Sequence, residues 1–262
     1  MSEDEVLVFL ISIVLAPILW LRLYFGLITV SPLGNPPASR LPLFLTPMLC
    51  GTFLLAVLLL WAARDVREHT EYIALFMVSG AATVGVALQA LPLFGLSFRD
   101  DVVETPNRAA RWVACALMLA VTMAFACANV GEGATIWMTL IPAALALSTL
   151  ALLWLLLECF CSFSEAITVE RDFAAGLHLS GFLVANALIL GRAVAGDFES
   201  WSATLVDFVR LGLPSVVLSC AAIAVELKWR SDLPLRRSDF VRGVLPASFQ
   251  VFVALFWTLI TR

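Results

Sequence analysis

The sequence has little charge for its length. Only 14% of its 262 residues are Asp, Glu, Lys or Arg, whereas soluble domains carry about a quarter. The charges are concentrated in short separators, which leaves apolar runs of about 20 residues, the length that crosses a hydrocarbon core of about 30 Å. A soluble core would not contain so many such runs. The composition therefore predicts a multi-pass membrane protein.

Histidine and catalytic motifs are also scarce. The chain has only two histidines, His69 and His178, and none of the HExxH, GxSxG or GxxxxGK[ST] motifs. Its six cysteines lie in or beside apolar runs without CxxC spacing, so we interpret them as apolar filler. We therefore expect no enzymatic activity, no metal and no cofactor. A net charge of −4 excludes nucleic acid as a partner, because it leaves no basic face.

Apolar runs separated by turn chemistry divide the chain into eight predicted spans. The separator SPLGNPPASR (31–40), for example, has three prolines, which a helix interior rejects. The fold class is thus an all-α polytopic bundle of about eight helices, with two four-helix halves, 1–134 and 135–262. The predicted spans are about 6–28, 42–63, 72–95, 110–130, 135–160, 172–192, 203–226 and 240–260.

The distribution of Lys and Arg predicts the orientation. Nine of these residues follow odd-numbered spans, whereas four, including the terminal Arg262, lie on the opposite side. Loops rich in Lys and Arg stay in the cytoplasm. We therefore expect both termini to be extracytoplasmic, and the bilayer to be the plasma membrane, which in a bacterium is the inner membrane.

The sixth span carries small residues at helical spacing. Gly176 and Ser180 are four residues apart, as are Gly181 and Ala185. Small residues at this spacing let helix backbones approach closely in membranes. The sixth span is therefore expected to pack at the centre of the bundle.

The same span carries His178 and Asn186 among apolar residues. Because a polar side chain in hydrocarbon costs free energy unless it is hydrogen-bonded, both are expected to face protein or water. Two interpretations stay open for these residues. They could relay a proton or ion, since histidine titrates near neutral pH, or they could only form hydrogen bonds between helices.

Three further charged residues complete the candidate intramembrane polar site. Glu158 is predicted near the cytoplasmic end of the fifth span, where its carboxylate would reach the interface at little cost. Asp207 and Arg210 are three residues apart in the seventh span, which places them on one helix face. We expect these two residues to form an internal ion pair.

A weak internal similarity links the third and sixth spans. EYIALFMVSGAATVGVALQALPLFG (71–95) aligns without gaps to DFAAGLHLSGFLVANALILGRAVAG (172–196), with Ser-Gly pairs at equivalent positions. If the segments are repeats, their helices run in opposite directions, as in the inverted repeats of transporters.

The second half of the chain, about residues 140–262, resembles a known family. The segments FCSFSEAITVERDFAAGLHLSGFLVANALIL and SDLPLRRSDFVRGVLPASFQVFVALF resemble the YjfL-like family of small bacterial membrane proteins, which carries a domain of unknown function. The resemblance implies an inner-membrane protein with outward termini and a role near membrane stress. It implies no catalytic residues. The positions that carry it are Asp172, Ala174, Ala175, Ser180, Gly181, Asp239 and Gly243.

Three functional hypotheses follow. The first is a non-enzymatic scaffold, sensor or subunit of a membrane complex, which contacts a membrane-protein partner or further copies of itself. The second is a transporter or channel for an ion or small solute, with His178, Asn186, Asp207 and Arg210 lining the path. The third, ranked last, is an intramembrane enzyme acting on lipid, which would depend on Glu158 and His178.

Overall fold

A computed structural model describes residues 1–29, 40–105, 107–133, 135–231 and 239–261, and within these ranges it contains ten α-helices and no β-strand. The all-α prediction is confirmed. The helices are α1 (Glu3–Thr29), α2 (Leu41–Leu60), α3 (Arg64–Glu68), α4 (Thr70–Gln89), α5 (Arg108–Cys127), α6 (Trp137–Cys161), α7 (Phe163–Thr168), α8 (Phe173–Val194), α9 (Trp201–Ser231) and α10 (Leu245–Ile260).

Eight of these helices are long and apolar enough to cross a membrane, which agrees with the predicted number of spans. The other two, α3 and α7, are short connections. The eighth span begins with a π-helical turn, Phe240–Val244, that continues into α10. The chain is therefore a multi-pass membrane protein.

The boundaries of two spans differ from the prediction. The third span ends at Gln89 and not near residue 95, because Pro92 lies in a 3₁₀ turn that follows the helix. Gly95 closes this turn at a positive φ of 73°, which glycine adopts without strain. The seventh span is longer than predicted, since α9 continues past residue 226 to Ser231.

Helices α5 and α8 form the centre of the bundle. In each of them 78% of the apolar stretch is buried, compared with 17% in α1 and 22% in the last span. Helices α2 and α4 pack against α5, whereas α6, α9 and α10 pack against α8. Because α5 also packs directly on α8, the central contact joins the two predicted halves of the chain.

Contacts between loops show which ends of the spans share a side. Trp137, at the start of α6, donates a hydrogen bond of 2.9 Å to Asp4 near the amino terminus. The amide of Gly196, after α8, bonds to the carbonyl of Val130, after α5, at 2.9 Å. Both termini and the loops after even-numbered spans therefore lie on one side, called the terminal side below. The loops after odd-numbered spans lie on the opposite side.

The two similar segments form α4 and α8, which run in opposite directions because one is an odd and the other an even span. Ser79 and Gly80 of α4 are buried, and so are Ser180 and Gly181 of α8. The two Ser-Gly pairs thus both lie in helix contacts, while a common origin of the segments stays a prediction.

The small residues of α8 lie where neighbouring helices approach most closely. A Cβ atom on Gly176 would lie 2.7 Å from Cβ of Ala109 in α5, and one on Gly181 would lie 2.4 Å from Cα of Ala247 in α10. Ser180 donates to the carbonyl of Gly176 at 2.7 Å, and Ala185 is completely buried. These four positions therefore pack α8 against helices of the same chain.

Replacing Gly181 by alanine is expected to lower the free energy of unfolding by about 1 to 3 kcal/mol, because the added methyl group overlaps the backbone of α10. Unfolding in detergent micelles measures this change. Gly51→Ala is the matched control, since a Cβ at that helical position meets nothing within 4 Å. Equal stability of the two variants would show that α10 does not contact α8 at this distance.

Candidate functional site

His178 forms a buried hydrogen-bonded cluster with residues of two other helices. Its Nδ1 atom lies 3.1 Å from Oε2 of Glu226 in α9, and its Nε2 atom lies 2.9 Å from Nε2 of Gln250 in α10. The exposed fractions of the three residues are 0%, 2% and 4%. Phe163 of α7 covers the imidazole edge-on, with ring centroids 5.5 Å apart. We call His178, Glu226 and Gln250 the His178 cluster.

The position of Gln250 follows from the parallel packing of α10 on α8. At the start of the pair, Arg242 forms an ion pair of 2.7 Å with Asp172, whose side chain also caps α8. At the far end, Arg192 donates a hydrogen bond to the carbonyl of Thr261. Each contact joins residues about 70 positions apart, so one register holds along the pair and brings Gln250 to the level of His178.

Glycine residues make the close contact between α8 and α10 sterically possible. A Cβ on Gly243 would lie 2.8 Å from Cα of Ala174, in the first turn of α8. Further along, a Cβ on Gly181 would lie closer still, at 2.4 Å from Cα of Ala247. Both contacts flank the level of His178, and they hold α10 near enough for the amide of Gln250 to reach the imidazole.

The cluster has hydrogen-bonding groups for both protonation states of His178. In the neutral ring, Nδ1–H donates to the carboxylate of Glu226, and Nε2 accepts from the amide of Gln250. A protonated ring donates from both of its nitrogens. Its Nε2 atom then needs an acceptor, so the oxygen of the Gln250 amide has to take the place of the amide nitrogen. That oxygen has no hydrogen-bond partner among the described residues. Rotation of one amide group therefore satisfies the charged ring without moving a helix.

Three more buried polar residues continue from the His178 cluster toward the terminal side. Ser219 of α9, Asn186 of α8 and Ser215 of α9 are all fully buried. At 1.5 Å per residue they lie about 10, 12 and 16 Å along the helices from the cluster. Oδ1 of Asn186 and Oγ of Ser215 have no hydrogen-bond partner in the described ranges. We call Ser219, Asn186 and Ser215 the polar line.

Asn186 and Ser219 also bond within their own helices. The amide of Asn186 donates to the carbonyl of Phe182 at 2.9 Å, and the hydroxyl of Ser219 donates to the carbonyl of Ser215 at 2.7 Å. The hydrogen bond of Asn186 therefore lies within α8 and does not join two helices. Buried polar atoms that have no hydrogen-bond partner in the protein are sites where water binds in protein interiors.

The polar line ends near a charged cavity of about 710 Å³ on the terminal side. Asp207 and Arg210 of α9 line it together with Arg192 of α8. The ion pair predicted for Asp207 and Arg210 is not present in the described part of the chain, where both side chains are exposed. They face the cavity and not a neighbouring helix, so water is able to solvate each charge separately.

Glu158 lies in the last turn of α6, at the end of the span where it was predicted. Its carboxylate accepts hydrogen bonds from the amide of Ser164, at 3.0 Å, and from the Ser164 hydroxyl. It therefore caps the first turn of α7. Phe163 in that same turn is the residue that covers His178.

The candidate residues selected from the sequence omitted both partners of His178. Glu226 stood at the predicted end of the seventh span, where a carboxylate needs no partner, but α9 extends beyond it and buries it. Gln250 was one uncharged residue among several, and its contact depends on the rotation of α10. A carboxylate within a longer apolar helix was the signal that could have identified Glu226.

A double-mutant cycle tests the cluster. His178→Leu and Glu226→Leu are each expected to destabilise the protein by about 2 kcal/mol or more, because each leaves a buried polar partner behind. The double variant should be destabilised by about 1 to 3 kcal/mol less than the sum of the two single variants. Pairing His178→Leu with Ser79→Ala on α4 gives the control, which should be additive. Additivity of the first pair would contradict the contact.

Comparison with known proteins assigns neither a family nor a function to the chain. No family model matches the chain, and no curated protein or solved structure matches it. The resemblance of the second half to the YjfL-like family stays a prediction. The function has to be inferred from the membrane-spanning fold, the His178 cluster, the polar line and the charged cavity.

Proposed function

We propose that the chain is a non-enzymatic transporter or channel that moves a proton or another small ion across the membrane. The observation that carries this proposal is a series of buried polar groups of α8 and α9 at successive levels along the helices. They run from the His178 cluster through the polar line to the charged cavity. Ionisable residues inside a membrane bundle are rare, and they commonly mark proton or ion pathways.

The chemistry of these groups fits a proton better than a larger solute. Histidine is the side chain type whose unperturbed charge change falls nearest neutral pH, and Gln250 has a hydrogen-bonding group for each form of the His178 ring. The gap of about 10 Å between the cluster and the polar line is longer than one hydrogen bond. A proton would cross this gap only through a chain of water molecules between α8 and α9.

The packing of the small residues of α8 within the chain argues against a scaffold. A scaffold that works through close helix–helix contacts needs a small-residue face that is free for its partner. In the structure, Gly176 contacts Ala109 and Gly181 contacts Ala247. Since these faces are used within the chain, they are not available to a second protein.

A sensor or subunit of a membrane complex is the second candidate, and the closure of the His178 cluster favours it. The cluster joins α8, α9 and α10, so a change in its protonation would change how three helices pack. Such a protein would pass this change to a membrane-protein partner or to further copies of itself. Membership of the YjfL-like family and a link to membrane stress belong to this candidate.

Ion flux into proteoliposomes separates the two candidates. For a transporter, His178→Leu and Asn186→Leu should each slow proton flux at least about tenfold while the protein stays folded, because each removes a polar step from the path. Asn129→Leu is the matched control. Asn129 is also buried, donates to the carbonyl four residues before it and has an unpartnered oxygen, but it lies at the end of α5.

Two results would favour the sensor instead. One is that the parent protein conducts neither protons nor other small ions across the pH range in which histidine titrates. The other is that the three variants conduct as the parent does, with only their thermal stability changed.

We also propose that the membrane is a bacterial inner membrane and that both termini are extracytoplasmic, since loops after odd spans carry nine of the Lys and Arg residues. A phosphatase that is active only outside the cytoplasm, fused after residue 262, should be active. The same enzyme inserted after residue 36, in the first odd loop, should be inactive. The reverse pattern would invert the orientation.

A further inference from the structure

A second cavity, unconnected with the His178 cluster, lies between α4, α5 and α6. Its volume is about 260 Å³, and its wall is almost entirely apolar, formed by residues such as Val86, Leu117, Leu147 and Trp154. Val86 is 48% exposed on the outer surface of α4. The cavity therefore borders the surface that faces lipid.

The wall of this cavity contains one buried donor without an acceptor. Trp154 is 1% exposed, and its indole Nε1 has no hydrogen-bond partner among the described residues. The indole N–H only donates. Phe94 stacks on the ring at 4.1 Å between centroids, which fixes the orientation of the indole. A buried donor without an acceptor is costly, so a ligand that offers an oxygen would be favoured here.

The other polar groups of the wall already have acceptors. Thr83 donates to the carbonyl of Ser79 at 2.8 Å, and Ser148 donates to the carbonyl of Leu145 at 3.0 Å. Both bonds lie within the residue's own helix. The ligand that fits is thus apolar over most of its surface and carries an acceptor oxygen at the position of Trp154.

The depth of Trp154 in the membrane indicates which acceptor oxygen the ligand carries. Trp137 begins α6 on the terminal side, and tryptophans at such positions lie at the membrane interface. Trp154 is about 26 Å further along the helix at 1.5 Å per residue. A hydrocarbon core of about 30 Å therefore ends just beyond Trp154. The carbonyl oxygens of phospholipid esters lie at this edge of the core.

We propose that the cavity binds one acyl chain of a bilayer phospholipid and that Trp154 donates a hydrogen bond to the ester carbonyl of that chain. The chain fills the apolar part between Val86 and Leu147, which the lipid reaches from the side. The inference does not depend on ion movement, because no residue of the His178 cluster or the polar line contributes to this wall.

Ester-linked and ether-linked phospholipids with the same headgroup and chain length provide the test, since the ether lipid lacks only the carbonyl oxygen. Each is titrated into delipidated protein in micelles, and bound lipid is counted by native mass spectrometry. The parent protein should bind the ester lipid about three- to tenfold more tightly, which corresponds to one hydrogen bond. Trp154→Phe should bind both lipids equally.

Two further variants keep the test informative if Trp154→Phe does not fold. Ala151→Leu fills the cavity and leaves Trp154 in place, so it should abolish the preference for the ester lipid. Trp61→Phe, an exposed tryptophan at the end of α2, should keep the preference.

Equal affinity of the parent protein for ester and ether lipids would overturn the proposal. Tighter binding of a lipid-soluble quinone than of the ester phospholipid, with the quinone sensitive to Trp154→Phe, would also overturn it. In that case the indole N–H of Trp154 would donate to a ring carbonyl of the quinone and not to the ester of a bilayer lipid.

Discussion

The close parallel contact between α8 and α10 is the constraint on which the arrangement of polar groups depends. Gly243 approaches the backbone of α8 at Ala174, and Gly181 approaches the backbone of α10 at Ala247. A larger side chain at either glycine would push α10 away from α8, because even a Cβ atom there overlaps the facing backbone. Gln250 would then not reach His178. In a membrane, where lipid gives no hydrophobic drive for helix association, such contacts and the hydrogen bonds they permit supply the stability.

The buried charge follows from this contact. With Gln250 on one ring nitrogen, the other nitrogen of His178 needs a partner from a different helix, and α9 provides the carboxylate of Glu226. A carboxylate at this depth is costly unless it is hydrogen-bonded or paired. The carboxylate that is costly to bury is also the partner of the His178 ring. The structural cost and the proposed capacity for proton transfer therefore have one origin.

Much of the fold could be predicted from sequence, because the length of an apolar run relates directly to the thickness of a membrane. The spacing of Gly176, Ser180, Gly181 and Ala185 likewise indicated that α8 is a packed helix. Features that depend on helix rotation could not be predicted. Asp207 and Arg210 share a helix face, yet that face borders a cavity, and the partners of His178 come from residues 48 and 72 positions away. No periodicity within α8 carries that information.

The most direct test of the central claim is a measurement of the hydrogen bond between His178 and Gln250 in a lipid bilayer. Nuclear magnetic resonance of ¹⁵N-labelled protein detects a scalar coupling between two nitrogens that share a hydrogen bond. A coupling between Nε2 of His178 and Nε2 of Gln250 is expected when the ring is neutral, and it should disappear when the ring is protonated and the amide turns over. Absence of the coupling at every pH, with solvent exchange at His178, would contradict a closed cluster between α8, α9 and α10.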